Sequence, residues 1–504
     1  PALENLSTTE VQRIIAQAAA EAEARSTPAT IAIVDRVGNV LAVYRMNGAP
    51  TTTKTRANPN GNSGLQGLDV PSGVAAIAKA ITGAYLSSGG NAFSTRTASM
   101  IVQQHFPPSP AAVGLESGPL FGVQFSQLPC SDLTTRFSAG GPRLGPNNSP
   151  LGLAADPGGF PLYKNGFLVG GVGVVADGDY GFDENVLDTD SDVEELIALA
   201  GTSGFDAPAS IRADQIAVDG TTLRYSDARM ADLLTAPANA PIFATINGVK
   251  GDLIDIAGYF DGGTTGNVYA GKAYGAEDSG MRPSTAAEFS NGDIYVLSDG
   301  AGTNRYPPRG GTDSATVAQP LTQAEVRAIL EEAFFIMTAA RGQIRRPLNS
   351  RAEVSISVVD TNGQILGIVR APDAPIFGTD VSLQKARTAT FFSGPDAAHD
   401  LLNESPPIVP GANPTKPVPS FVVAVRNFIP DPTALTGTFA FADRSGGNLS
   451  RPFFPDGEVG TANGPLSLPI SEWSALNTGL QTSLVVENIL LGVAAGAPHC
   501  TFLP

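Results

Sequence analysis

Histidine is nearly missing from this chain: among 504 residues only His105, His399 and His499 occur. That scarcity removes the commonest general base from most of the molecule. There is no Gly-x-Ser-x-Gly elbow, no His-Glu-x-x-His and no recognisably spaced Cys/His pair, so the usual hydrolase and metalloprotease signatures are absent. Basic residues are also short: 31 Lys and Arg stand against 48 Asp and Glu, for a net charge of −17 and a pI near 4.6. Such a surface repels phosphate, which argues against nucleic acid and against anionic membrane surfaces as partners. No run of eighteen apolar residues exists, so no segment reads as membrane-spanning. Cysteine is limited to Cys130 and Cys500. An even pair in an exported protein is usually bonded, and one bridge here would tie the C-terminal tail to the first half of the chain. The alternative is two unrelated thiols in a cytosolic protein. The chain opens Pro1-Ala2-Leu3, without an initiator Met or a visible signal peptide, which reads as a mature chain whose leader was removed. Export to a periplasmic or extracellular location is the expectation.

What the chain does contain is a repeat. Thr30–Arg45 reads as two β-strands around a tight turn, Ile33-Val34-Asp35-Arg36-Val37-Gly38-Asn39-Val40-Leu41. Val354–Arg370 echoes it with Val358-Val359-Asp360-Thr361-Asn362-Gly363-Gln364-Ile365-Leu366. Asn362-Gly363 is a strong hairpin signal because both residues tolerate positive φ. Upstream, Ser7-Thr8-Thr9-Glu10 and Thr322-Gln323-Ala324-Glu325 are capping boxes, in which hydroxyl and carboxylate each satisfy a free backbone N–H. Behind them Val11, Ile14, Ile15, Ala18 and Val326, Ile329, Leu330, Ala333 fall in one register, the i, i+3, i+4, i+7 spacing of an amphipathic helix. Downstream, Lys79-Ala80-Ile81-Thr82 parallels Lys385-Ala386-Arg387-Thr388 on a second helix. Each unit therefore runs helix, hairpin, helix, and matched Asp35 and Asp360 are expected to accept turn N–H bonds.

The capped helix, the hairpin closing on Arg45 or Arg370, and the Lys-Ala-x-Thr helix together resemble the GlcG/HbpS family of haem-binding domains. The first copy also carries the family-like ending Gly158–Val174, with Asn165-Gly166 as a hairpin turn. The second copy has no glycine-rich strand like 168–175; Arg451–Gly457 is the nearest candidate for its turn, which makes this copy degenerate. The resemblance implies an α+β fold of two profilin-like GlcG/HbpS-type domains, each an antiparallel sheet flanked by helices, together forming a pseudo-dimer. The expected layout is residues 1–235 as the first domain, 236–318 as a Gly/Asp-rich linker or small β insertion, and 319–504 as the second domain with a C-terminal tail. With 504 residues, two or three domains are expected in any case.

The implied function is non-covalent haem or tetrapyrrole binding for sensing, storage or transfer, without turnover. The alternative is a structural or accessory subunit of a larger extracytoplasmic assembly that has lost the ligand, with itself or another protein subunit as partner. An enzyme acting on a small acid is a third reading. No Cys-x-x-Cys-His is present, so covalent c-type haem is excluded. Haem iron is commonly held by an axial His, which makes His105 and His399 the candidate ligands. Aligning Lys79 with Lys385 places His399 opposite Phe93, so the two are not at equivalent positions. The run Asp177, Asp179, Asp183, Asp188, Asp190 and Asp192 is a candidate Ca2+ site, since hard cations want several closely spaced oxygens. It lacks the glycine and glutamate of an EF-hand loop, and a solvated acidic face is the competing reading. Gly171-x-Gly173-x-x-Ala176 imitates a dinucleotide fingerprint but sits within a hairpin arm, where close backbone approach is the better reading. Gly266-x-x-x-x-Gly271-Lys272 imitates a phosphate loop, but Ala273 replaces the Ser or Thr that would hold Mg2+.

Overall fold

A computed structural model describes residues 3–109, 111, 116–133, 143–256, 258–259, 266–404 and 409–495. The first capping box forms as the sequence requires. The Ser7 amide donates to Glu10 Oε2 at 2.8 Å and the Glu10 amide to Ser7 Oγ at 3.3 Å, opening helix α1 (Thr8–Ala24). Its apolar stripe, Val11, Ile14, Ile15, Ala18 and Ala22, is fully buried. Strands β1 (Thr30–Asp35) and β2 (Val40–Met46) pair antiparallel with Thr30 opposite Arg45. At their turn Asp35 Oδ1 accepts the amides of Val37 and Asn39 at 3.1 and 2.9 Å, and Gly38 takes φ +83°. Helix α2 (Ser72–Leu86) and helix α3 (Thr95–Ile101) follow, then strands β3 (Gly159–Lys164) and β4 (Phe167–Val175) and helix α4 (Val193–Gly201).

β4 lies beside β1, with Ala32 opposite Gly173 and Val34 opposite Gly171. Here the glycines are explained by proximity. A Cβ on Gly171 would sit 2.1 Å from the Ala80 carbonyl oxygen, and one on Gly173 2.2 Å from that of Ala76. Glycine lets α2 press onto the sheet, and every residue of α2 is buried. β1 is buried along its whole length because helices and sheet neighbours enclose it on all sides.

The second unit repeats the first half of this plan. Thr322 caps helix α5 (Gln323–Ala339), with the Thr322 amide donating to Glu325 Oε2 at 2.8 Å. Asp360 accepts the amides of Asn362 and Gln364 at 3.0 and 2.9 Å between the strands Ser355–Val359 and Ile365–Arg370. Helix α6 (Phe377–Ser393) comes next, followed by α7 (Ala397–Asn403), α8 (Val418–Phe428), α9 (Asp443–Leu449) and α10 (Leu480–Ala495).

The stretch 236–318 contributes strands to the sheets of both repeats: β5 (Gly251–Leu253) adds to β2, while β6 (Met281–Pro283) and β7 (Tyr295–Leu297) add to the second hairpin. The hairpin strands Ser355–Val359 and Ile365–Arg370 are accordingly β8 and β9. The sheet orders are β5-β2-β1-β4-β3 and β6-β7-β9-β8. All strand pairings in both sheets are antiparallel.

Arg451–Gly457 is bend and turn, and among the described residues nothing pairs with β8 on the side where β4 pairs with β1. Gly118–Phe125 is turn and a short 3-10 segment, Val123–Phe125. Arg370, which closes the second hairpin, is fully buried, donating to Thr379 Oγ1 and the Ala374 carbonyl. Burial pushes its pKa down. The units touch directly. Asp373 accepts from the Gly89 amide and pairs with Arg36, both at 2.9 Å, and Asp380 accepts from the Gln127 amide at 2.7 Å.

Candidate functional site

His105 follows α3 and lines a cleft of about 290 Å3. Its Nε2 lies 3.0 Å from the Ser109 carbonyl and 3.3 Å from the Ser109 amide, while its Nδ1 is buried without a partner. The loop 56–66 forms one wall and the segment 470–474 the other. Side-chain amides hold them together. Asn58 and Asn60 donate to the Ser471 carbonyl at 3.2 and 3.0 Å, and Gln66 donates to Ser474 Oγ at 2.8 Å. Arg56 stands over the Phe182 ring at 5.4 Å and pairs with Asp179 at 2.6 Å. Burial acts to lower the Arg56 pKa, but Asp179 and Glu184 outweigh it and raise it. Trp473 is stacked on Phe121 at 5.6 Å and is almost fully buried, yet its indole N–H has no acceptor. Two residues that line the cleft, His105 and Trp473, therefore each carry a buried polar atom with no partner, an imidazole nitrogen and an indole N–H, a condition that costs stability.

His399 has no such setting. It sits on α7, 76% exposed in its side chain, beside Asp400 at 3.3 Å. His105 alone of the two candidates lines a cleft. The acidic run does not form a cation loop either. Asp179 pairs with Arg56, Asp177 accepts the Asp179 amide, Asp188 accepts from Asn185, and Asp192 caps α4 through the Glu195 amide at 2.7 Å.

Asp183 and Asp190 do converge, with Asp227, but the guanidinium of Arg96 fills the place a cation would take. Arg96 Nη1 reaches Asp183 at 2.9 Å, Asp190 at 2.8 Å and Asp227 at 3.4 Å, and Nη2 reaches Glu195 at 3.1 Å. Burial works against the Arg96 charge, but Glu195 and Asp183 prevail and raise its pKa. Asp227 and Arg96 went unnoticed in the sequence because each lies more than thirty residues from the run.

Lys79, the repeat's matched lysine, is equally enclosed. Its ammonium donates to the Pro157 and Val174 carbonyls at 2.7 and 2.9 Å and pairs with Asp156 and Glu194. Burial pushes the Asp156 carboxyl up to about 6 despite Lys79, and raises Glu194 as well. With every hydrogen of the ammonium engaged and no opening to solvent, this cluster ties α2, β4 and α4 together.

Cys130 is disulfide-bonded. Cys500, the other cysteine of the chain, lies outside the described residues, as does His499. No helix of the described residues is long and apolar enough to cross a membrane.

Residues 6–60 and 329–424 match the family described as haem degrading protein HbpS-like, one match in each repeat. Among solved structures the chain is similar to Klebsiella pneumoniae protein ORFY, at 17% identity over 41% of this chain and 93% of that one, with a TM-score of 0.24. It is likewise similar to the PduOC:heme complex, at 18% identity over 41% of this chain and 98% of that one, with a TM-score of 0.24. No curated protein matches.

Proposed function

We propose that this chain, with HbpS-like sequence in both of its repeats, binds haem or a related tetrapyrrole without covalent attachment, for sensing, storage or transfer and without turnover. The family match supports haem as the ligand. The observation that carries the site is the unpartnered Nδ1 of His105 at the cleft. An imidazole nitrogen with no hydrogen-bond partner is a fitting axial donor. Arg56 offers a cation to carboxylates, and Trp473, Phe182 and Ile470 give apolar wall. The donor set fits the group, and bound haem would supply a redox-active iron. The chain's own residues would bind and orient it: His105 at the iron, Arg56 at the acidic edge. The disulfide at Cys130 supports export to an oxidising compartment, periplasmic or extracellular. The inter-unit contacts of Asp373 and Asp380 support reading the two repeats as an internal pseudo-dimer.

The test is titration of the full chain with haemin. A Soret band that saturates at one equivalent, and that His105→Ala abolishes or shifts while His399→Ala leaves unchanged, is the expected result. Failure of the wild-type chain to take up haemin overturns the proposal, and decay of the bound spectrum under reductant would overturn the absence of turnover. A second reading, an accessory subunit that has lost the ligand, is favoured by one observation: among the described residues β8 of the second repeat lacks the neighbour that β1 has in the first.

A further inference from the structure

The two repeats can be laid over one another residue by residue, and the second is missing its cover. Superposing Ser7 on Thr322 puts Ile14 on Ile329 and Glu21 on Ile336. Ile14 is fully buried, with α4 against it: a Cβ on Gly201 would lie 3.5 Å from Ile14 Cγ2. Ile329 is 43% exposed and Ile336 59% exposed, because no counterpart of α4 follows α6 among the described residues. Superposing Asp35 on Asp360 puts Ala32 on Ser357. Ala32 faces Gly173 of β4, whereas Ser357 has no strand neighbour on that side among the described residues.

Backbone direction confirms that the edge is open. Ile368, opposite Ser357, turns its amide away to the Tyr306 carbonyl at 3.3 Å. In an antiparallel pair the facing residue then turns its own N–H and C=O the other way, so Ser357 presents both at the free edge. The helix above is already in place. Ser357 and Ser382 hydroxyls meet at 2.6 Å, which seats α6 on β8 as α2 sits on β1. The charge is also uncovered. Lys79 is buried against Glu194 and Asp156, while its match Lys385 is exposed and makes no ion pair among the described residues.

We propose that the open edge of β8, with the uncovered faces of α5 and α6, receives a strand followed by a helix from a partner protein, added antiparallel to β8. The first repeat specifies the chemistry of that occupant. Its strand carries small residues where it faces α6, branched apolar residues where it faces α5, and its helix brings a carboxylate to Lys385. Backbone hydrogen bonds supply affinity and the alternating side chains supply specificity, as in other cases of strand addition. An exposed strand edge flanked by apolar surface is otherwise an aggregation hazard, so its retention points to an occupant. The proposal is independent of haem.

The probe is a labelled peptide of residues 159–201 of this chain, which contains β3, β4 and α4 and so has the required pattern. Titrated against the full chain, it should bind saturably with one site per chain. Ser357→Pro removes the edge amide, a change edge strands tolerate, and should weaken binding at least about tenfold. Lys385→Glu, at an exposed position that leaves the fold intact, should weaken it about three- to tenfold through lost charge pairing. Absence of saturable binding overturns the proposal, as does binding that both variants leave unchanged. A dimer of the chain alone that Ser357→Pro dissolves also overturns it, since the occupant would then be a second copy.

Discussion

Arg96 offers the sharpest test of how the first unit is held together. Its guanidinium is fully buried among Asp183, Asp190, Asp227 and Glu195, three of which are themselves buried. Replacing Arg96 with Ala leaves carboxylates facing one another with no counter-charge. Removing one partner of a buried ion pair typically costs about 3–5 kcal/mol, because the remaining charge is stranded in a medium of low polarizability. At about 2–4 °C per kcal/mol for a unit near 200 residues, thermal unfolding of the first repeat should fall by roughly 6–20 °C. The penalty should shrink in acid, where the stranded carboxyls can protonate. Arg96→Ala also vacates the centre of three carboxylates whose oxygens lie within 4.8 Å of one another, so millimolar Ca2+ should recover part of the loss. Differential scanning calorimetry of both proteins with Ca2+ and with EDTA measures this. An Arg96→Ala protein that unfolds within about 2 °C of wild type would refute the reasoning. So would a wild-type protein that gains stability with Ca2+, since the guanidinium already occupies that position.

Two further outcomes follow from the packing and the charges. Gly173→Ala would drive a Cβ to 2.2 Å from the Ala76 carbonyl oxygen, and because that neighbour is helix backbone it should cost about 3 kcal/mol or more, read as a lowered urea midpoint. Glu288 is held at about 2 by its paired bonds from Arg282, at 2.8 and 2.9 Å, against 4.5 for a free glutamate. A depressed carboxylate stabilises fully above pH 4.5, and the contribution is lost as pH falls through about 2. Solvent near the pair limits it to under about 1 kcal/mol. Carboxyl NMR titration should show Glu288 return towards 4.5 in Arg282→Gln, and an unchanged midpoint would exclude Arg282 as the cause.

What was legible in the sequence is what is local. The capping boxes at Ser7 and Thr322, the Asx turns at Asp35 and Asp360, and the glycines of β4 each depend on a few neighbouring residues, and each has the expected geometry. Relations across the chain were not legible. The acidic run reads as a cation site until Arg96, nearly ninety residues upstream, is placed among its carboxylates. The edge strands contributed by 236–318 are three residues each, too short for any periodicity to declare them. Arg370 reads only as the residue that closes its hairpin, yet Thr379 of α6 and the Ala374 carbonyl fold over it as oxygen acceptors that no pattern near Arg370 announces.

The cleft belongs to the same class of relation and shares a cause with the open sheet edge. After α2 the first repeat continues into the β3–β4 hairpin and α4, which close its own sheet and bury Ile14. After α6 the second repeat makes no such return among the described residues. Its chain runs instead through α7, α8 and α9 into the segment before α10, and that segment docks on the first unit. Gln124 donates to the Ala475 carbonyl at 3.1 Å, the Leu65 amide to the Leu476 carbonyl at 3.3 Å, and Asn60 to the Ser471 carbonyl at 3.0 Å. These are the contacts that bring Trp473 opposite His105. The rerouting that leaves β8 without a neighbour is therefore the same one that builds the second wall of the cleft. Neither repeat lines that cleft alone: His105 and Arg56 come from the first, Ser471 and Trp473 from the second.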